Sequence, residues 1–176
     1  FVNFKPGDLE GKTKNKIALQ EKLGLPVAPD IPMVAMISRL ASHKGLDLVR
    51  YIFHDMMGDI ASFVLLGSGD AEYENFFCEM QNRYPGRVAV RIGFIPSLSK
   101  KIYAGADAFL MPSKSEPCGL AQMVAARYGT LPIVRETGGL KDSIHDVGGE
   151  NGNGFTFKTY NAHDMLGAIR RAEGLF

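Results

Sequence analysis

The feature that most limits how this chain can fold is a recurring short apolar run. MVAMIS (33–38), SFVLLG (62–67), RVAVRIG (87–93), AFLMPS (108–113), LPIVRE (131–136) and GFTFK (154–158) each end in a polar or glycine-bearing loop. Runs this short, rich in Val, Ile and Phe, read as strands and not as buried helices. They are nearly continuous in their apolar character, which is the pattern of strands covered on both faces in a parallel sheet. Segments of helical periodicity separate most of them, including LDLVRYIFHDMM (46–57), YENFFCEMQNRY (73–84) and FIPSLSKKIYAG (94–105). A leading helix is expected over 12–26, stopped by Gly24 and Pro26, and a closing one over 161–175. Strands alternating with helices predict a Rossmann-like, doubly wound α/β domain with about six parallel strands and right-handed crossovers. There are no tandem repeats and no low-complexity segments.

Composition narrows the partners. A chain of 176 residues, 45% hydrophobic and 22% charged, can bury a core and is long enough for one domain. Its formal net charge of +1 gives no broad basic field, so nucleic acid is not an expected partner. No apolar stretch approaches the roughly 20 residues of a membrane span. Cys78 and Cys118 form neither a disulfide framework nor a zinc pair, which points to reduced thiols in a cytoplasmic protein. His43, His54, His145 and His163 show no ligand spacing, so no metal and no cofactor is expected. The chain begins at Phe1 with FVNFKPGDL, which is not a signal peptide, and ends straight after a helical pattern. The expectation is therefore a piece of a longer protein.

In an open parallel sheet, ligands bind beyond the carboxyl ends of the strands. That rule selects five loops. The first, SRLASHKG, offers Arg39 and Lys44, a planar fork of donors and a compact cation, either as a diphosphate clamp or as two solvated surface charges. The second, LGSGD, begins at Gly67 and opens a helix. It lacks the third glycine of a dinucleotide fingerprint, because Glu72 stands there, and a tight turn with close backbone packing is the better reading. The third, IGFIP, places Phe94 past a strand end, where an aromatic can stack on a base or fill the core under a loop.

The fourth loop, SKSEPCGLAQM, is the richest. Pro117 suits a first helical turn, and Cys118, Gly119 and Leu120 then present free backbone N–H groups at a helix N-terminus, ready for an anion or a hydroxyl. Glu116 adds a carboxylate that only accepts hydrogen bonds, which suits sugar hydroxyls, or alternatively compensates the helix dipole. The fifth, RETGGLKD, puts Thr137, Gly138 and Gly139 after a strand, where backbone can approach a ligand. A base platform, a diphosphate clamp, a carboxylate for hydroxyls and glycine-lined walls together describe a nucleotide-sugar pocket.

The runs SRLASHKGLDL, LGSGD, GADAFLMPSKSEPCGLAQM and RYGTLPIVRETGGLKD resemble bacterial glycogen synthases and plant starch synthases, which are retaining glucosyltransferases with the GT-B fold. The leader KTKNKIALQEKLGL is similar to the start of that family's C-terminal domain. The resemblance implies that residues 1–176 form a single donor-binding domain of a two-domain enzyme whose N-terminal acceptor domain is absent here. It implies ADP-glucose as donor, with Arg39 and Lys44 on the diphosphate, Phe94 against the adenine, and Glu116 on the glucose hydroxyls. Cys118, Gly119, Leu120 and the stretch Thr137 to Gly139 would complete the donor site, with Gly67 at its edge. Glucose would pass, with retention, to the non-reducing end of an α-1,4-glucan held by the missing domain. The implied setting is the cytoplasm, or a plastid for a plant parent.

Some positions depart from the family pattern. Lys114 and Ser115 stand where SRFEPCG has an Arg and an aromatic, and Phe94 stands where members carry a Tyr or similar residue. The N-terminal Lys-x-Gly-Gly-Leu motif and the catalytic-site histidine of the N-terminal domain are not in this chain. Two other readings remain at this point. One is a different GT-B transferase using UDP-glucose, of the sucrose or trehalose-phosphate synthase type. The other is a non-catalytic module that binds a nucleotide sugar.

Overall fold

Successive side chains of a strand face opposite ways, so a strand buried on both faces must be apolar at every position. Strand β1 (Met33–Ile37) meets that demand. Val34 and Met36 enter one hydrophobic cluster. Met33 and Ala35 enter another, with Ile37 against it. The same split divides Phe63 and Leu65 from Val64 and Leu66 in β2 (Ser62–Gly67), and Leu110 from Phe109 in β4 (Ala108–Met111). A computed structural model describes residues 9–28, 32–41, 44–60, 62–112, 131–135, 155–157 and 161–173.

The sheet is completed by β3 (Val88–Ile92), β5 (Leu131–Arg135) and β6 (Phe155–Phe157). Its order is β3-β2-β1-β4-β5-β6, and every neighbouring pair is parallel. This is the six-strand doubly wound arrangement expected from the sequence, with strand order reversing between β1 and β4.

Helices cover both faces. Helices α2 (Leu46–Tyr51), α3 (Phe53–Asp59), α4 (Ala71–Arg83) and α6 (Ala162–Glu173) supply the first cluster. Helices α1 (Leu9–Leu23) and α5 (Pro96–Gly105) supply the second and pack on each other. The sequence predicts one helix over 46–57, whereas the structure breaks it at Ile52, with φ −106° and ψ 15°. Ile52 still donates its N–H to Leu48 and accepts from Met56, so the bend sacrifices little bonding. It lets Leu46, Leu48 and Val49 from one half and Phe53, Met56 and Met57 from the other face the same core.

The strands flanking the reversal are tied at their amino ends. Met33 N–H donates to Asp107 Oδ2 at 2.8 Å, and Asp107 N–H donates to Met33 O at 3.0 Å. Lys16 of α1, nearly fully buried, reaches the same carboxylate oxygen at 2.6 Å. These contacts lie at the amino ends of the strands, opposite the carboxyl edge where an open sheet takes its ligand.

Candidate functional site

Beyond their last residues, β1 and β2 continue to pair. Ser38 N–H donates to Leu66 O at 3.1 Å, Leu40 N–H to Ser68 O at 2.9 Å, and Asp70 N–H to Leu40 O at 2.8 Å. Leu40 and Gly69 form an isolated parallel bridge. This extension carries the strand alternation into the loops. Leu40 drops into the first cluster, while Ile37 and Arg39 face the side that α5 covers.

There a cavity of about 330 Å³ opens across the carboxyl ends of β1, β2 and β3. Its floor is Ile37, Leu66 and Gly67, its far rim is Gly93, Phe94 and Ile95, and α5 contributes Ser99 and Tyr103. Ser38, Arg39 and Ser68 complete it. The size is near the lower end of the roughly 300–1,000 Å³ usual for small-molecule sites, suited to one ring system and its immediate attachments.

Three of the residues singled out in the sequence meet here: Arg39, Gly67 and Phe94. Arg39 is exposed, and no carboxylate pairs with it among the described residues, so its guanidinium is available to an anion. Gly67 is dictated by packing. A Cβ there would fall 1.9 Å from Ser38 O, so any larger residue would force β1 and β2 apart. The loop it begins is the tight turn that the sequence favours. Gly69 N–H donates to Glu74 Oε2 at 2.9 Å and Asp70 N–H to Leu40, so both amides are committed within the protein.

Phe94 is 88% exposed, which excludes a core role. Ile92 and Ile95 beside it are also exposed, and Phe94 with Ile95 gives the cavity an apolar lip. Pro96 occupies the first turn of α5, where its missing N–H is no loss, and fixes where this lip ends.

Lys44 does not line the cavity. It lies at the start of α2, half-buried, with its N–H donated to Ala41 O at 3.0 Å. The next residue, Gly45, has φ +82°, and a Cβ on it would sit 2.2 Å from Pro112 O. The end of β4 is therefore pressed against the start of α2, which puts Lys44 at the reversal between β1 and β4. Arg39 and Lys44 thus flank the crevice where an open sheet of this order takes its ligand. Glu116, Cys118, Gly119, Leu120, Thr137, Gly138 and Gly139 lie outside the described residues.

Sequence reasoning missed Ser38, Ser99 and Tyr103. Ser99 and Tyr103 are four apart on the helix after Phe94, hence on one helical face, and that spacing was the available signal. Burial pushes the Tyr103 phenol up to about 12. No group of three or more His, Cys, Asp or Glu converges among the described residues in a way that would hold a metal. No helix among them is long and apolar enough to cross a membrane.

A parallel sheet in this order, with a cavity at its carboxyl edge and cations near its reversal point, defines a doubly wound α/β domain with its crevice at the topological switch. The family model for glycosyl transferases group 1 matches residues 20–174, and the chain belongs to that family. It is 54% identical to a glycogen synthase of Clostridium acetobutylicum over 98% of this chain and 37% of that protein. It is also 54% identical to a glycogen synthase of Geobacillus stearothermophilus, over 93% of this chain and 34% of that protein. The chain thus spans about a third of the length of these relatives. The catalytic domain of starch synthase IV from Arabidopsis thaliana, solved bound to ADP and acarbose, superposes with a TM-score of 0.92 and 38% identity, covering 99% of this chain and 37% of that one. Sucrose-phosphate synthase from Thermosynechococcus elongatus shares the fold, with a TM-score of 0.68 over 90% of this chain and 40% of that one, at 23% identity.

Proposed function

We propose that this chain is the donor-binding domain of a glycogen or starch synthase, which transfers glucose from ADP-glucose to the non-reducing end of an α-1,4-glucan with retention. The observation that carries the reading is the meeting of Arg39, Gly67 and Phe94 in one cavity, with Lys44 at the adjoining strand reversal. Likeness to glycogen synthases over nearly the whole chain supports it, as does likeness to a starch synthase solved with ADP.

In this reading the base stacks on Phe94 and the diphosphate runs toward the reversal point between β1 and β4. Breaking the C1–O bond builds negative charge on the departing phosphate. Arg39 and Lys44 meet that charge with fixed cations, aided by the backbone N–H groups of Cys118, Gly119 and Leu120. No metal or cofactor is assigned a part. The glucosyl group becomes oxocarbenium-like, and Glu116 orients it through its hydroxyls and does not attack it. Thr137, Gly138 and Gly139 line the same cleft. The glucan is held by a further domain, and the setting is the cytoplasm, or a plastid for a plant parent. A cleft enzyme excludes water only with both walls present, so the chain alone is expected to bind nucleotide but not to elongate glucan.

Calorimetric titration with ADP, UDP and ADP-glucose in metal-free buffer tests this. ADP is expected to bind more tightly than UDP. Lys44→Ala and Arg39→Ala are each expected to weaken ADP binding about tenfold, the loss of one charge-assisted contact. Preference for UDP would instead favour a transferase using UDP-glucose. No binding of any of the three would overturn the donor-site reading.

A further inference from the structure

The turn LGSGD (66–70) has the look of a phosphate loop, yet its backbone is used to hold a different residue. The pairing of β1 with β2 runs on past both strand ends, with Ser38, Arg39 and Leu40 alongside Gly67, Ser68 and Gly69. Only residues without side chains allow that approach. A Cβ on Gly67 would fall 1.9 Å from Ser38 O, and one on Gly69 would fall 2.6 Å from Leu40 O and 2.9 Å from Leu40 N. Ser38 N–H is held on Leu66 O and Leu40 N–H on Ser68 O, so the residues on both sides of Arg39 are pinned. Arg39 O is held too, accepting from Ala41 N–H at 3.0 Å and from Ser38 Oγ at 2.8 Å. Arg39 therefore lines the cavity from a backbone fixed before it and after it.

This template is anchored in turn from α4. Glu74, in the first turns of that helix and half-buried, accepts the Gly69 N–H through Oε2 at 2.9 Å. Asp70, just before the helix, donates its N–H to Leu40 O at 2.8 Å. A chain of contacts thus runs from Glu74 through Gly69 to Leu40, the neighbour of Arg39, although Glu74 is not among the residues that line the cavity. Resting on the reading of Arg39 as a diphosphate ligand, we propose that Glu74 is a positioning residue of the donor site, which through Gly69 and Leu40 fixes the backbone from which Arg39 meets the diphosphate. A long side chain gives up rotamer freedom when it binds, and a backbone fixed in advance leaves less to be ordered. Glu74 serves here as an acceptor and not as a charge, since a carboxylate does nothing to attract a diphosphate.

Calorimetric titration of the whole chain with ADP tests this through a double-mutant cycle. Glu74→Ala is expected to weaken ADP binding about three- to fivefold, less than the loss of Arg39 itself. In an Arg39→Ala background the same substitution should cost less than about 1.5-fold, because no guanidinium is left to misplace. Glu74→Gln keeps a carbonyl oxygen for the Gly69 N–H and should retain most of the affinity. Alanine is a strong helix former, so Glu74→Ala leaves α4 intact. Gly69→Ala sets a Cβ against the Leu40 backbone and should lose more, but the Glu74 cycle decides even if that variant fails to fold. Unchanged ADP affinity in Glu74→Ala overturns the proposal and leaves the donor-site reading standing. So does a loss of equal size with and without Arg39, which a defect unrelated to Arg39 would give. No binding of ADP by the unsubstituted chain overturns the donor-site reading and this proposal together.

Discussion

The two faces of the central sheet are built from the same strands and do different work. On the face covered by α2, α3, α4 and α6, the core is apolar throughout. Phe53 is fully buried there, and its ring meets the edges or faces of Phe63, Phe76, Phe77 and Tyr84 at centroid distances of 5.6–6.0 Å. On the face covered by α1 and α5, the core includes buried Asn15, Lys16 and Gln20. Lys12 and Lys16 of α1 reach the backbone of Tyr103 and the carboxylate of Asp107. The cavity lies on this second face, and α5 both closes it and anchors α1. One face supplies cohesion. The other gives part of its packing to polar groups, and that is the face on which the cavity opens.

The comparison can be broken first on the apolar face. Phe53→Ala is expected to lower unfolding free energy by about 3–5 kcal/mol, because a large ring vanishes from a packed cluster that cannot collapse around the gap. Urea denaturation measures it. Nucleotide binding by whatever fraction stays folded should be unaffected, since Phe53 is on the other side of the sheet.

A smaller loss is expected from the polar face. Asp107→Ala strands the buried ammonium of Lys16 and removes the acceptor of Met33 N–H, at about 2–4 kcal/mol. Adding Lys16→Met should recover part of that loss, since the stranded charge then goes too. If the double variant is no better than the single one, the backbone contact at Met33 is the main term.

The smallest effect is a pH dependence on this polar face. Desolvation of Lys12, with Asp107 opposing and Lys16 reinforcing, lowers its pKa from 10.5 to about 7. Between those values the unfolded chain holds a proton that the folded chain has released, so stability rises with pH. From pH 7 to 9.5 the gain should be on the order of 2 kcal/mol. Lys12→Met should flatten the rise. Above pH 10 the sign reverses, because the unfolded Tyr103 ionises while the folded one, held near 12, does not. A flat profile in the unsubstituted chain would show that Lys12 keeps its charge when folded.

Much of the fold was legible in sequence because its signals are local. The apolar runs at 33–37, 62–67, 88–92 and 108–111 announce strands by their own composition, and continuous apolarity announces cover on both faces. The bend at Ile52 was not legible. A helix of uniform apolar spacing gives no sign of where the core will ask it to turn.

The site was legible in part for the same reason. Arg39, Lys44 and Phe94 declare themselves by following strand ends, and the rule about carboxyl edges then gathers them. Whether Phe94 was core or rim depended on what packs above it, which its neighbours in sequence do not say. Ser99 and Tyr103 carried no motif, and they matter only because α5 folds back over the ends of β1 and β2.

The sequence alone determined the strands, their parallel run and the edge that gathers the candidate residues, because strand periodicity and loop chemistry are properties of a few adjacent residues. Only the tertiary structure decided which loops share a cavity and that burial lowers the pKa of Lys12. Those outcomes depend on groups far apart in the chain being brought within hydrogen-bonding or desolvating distance, and no local pattern encodes such distances.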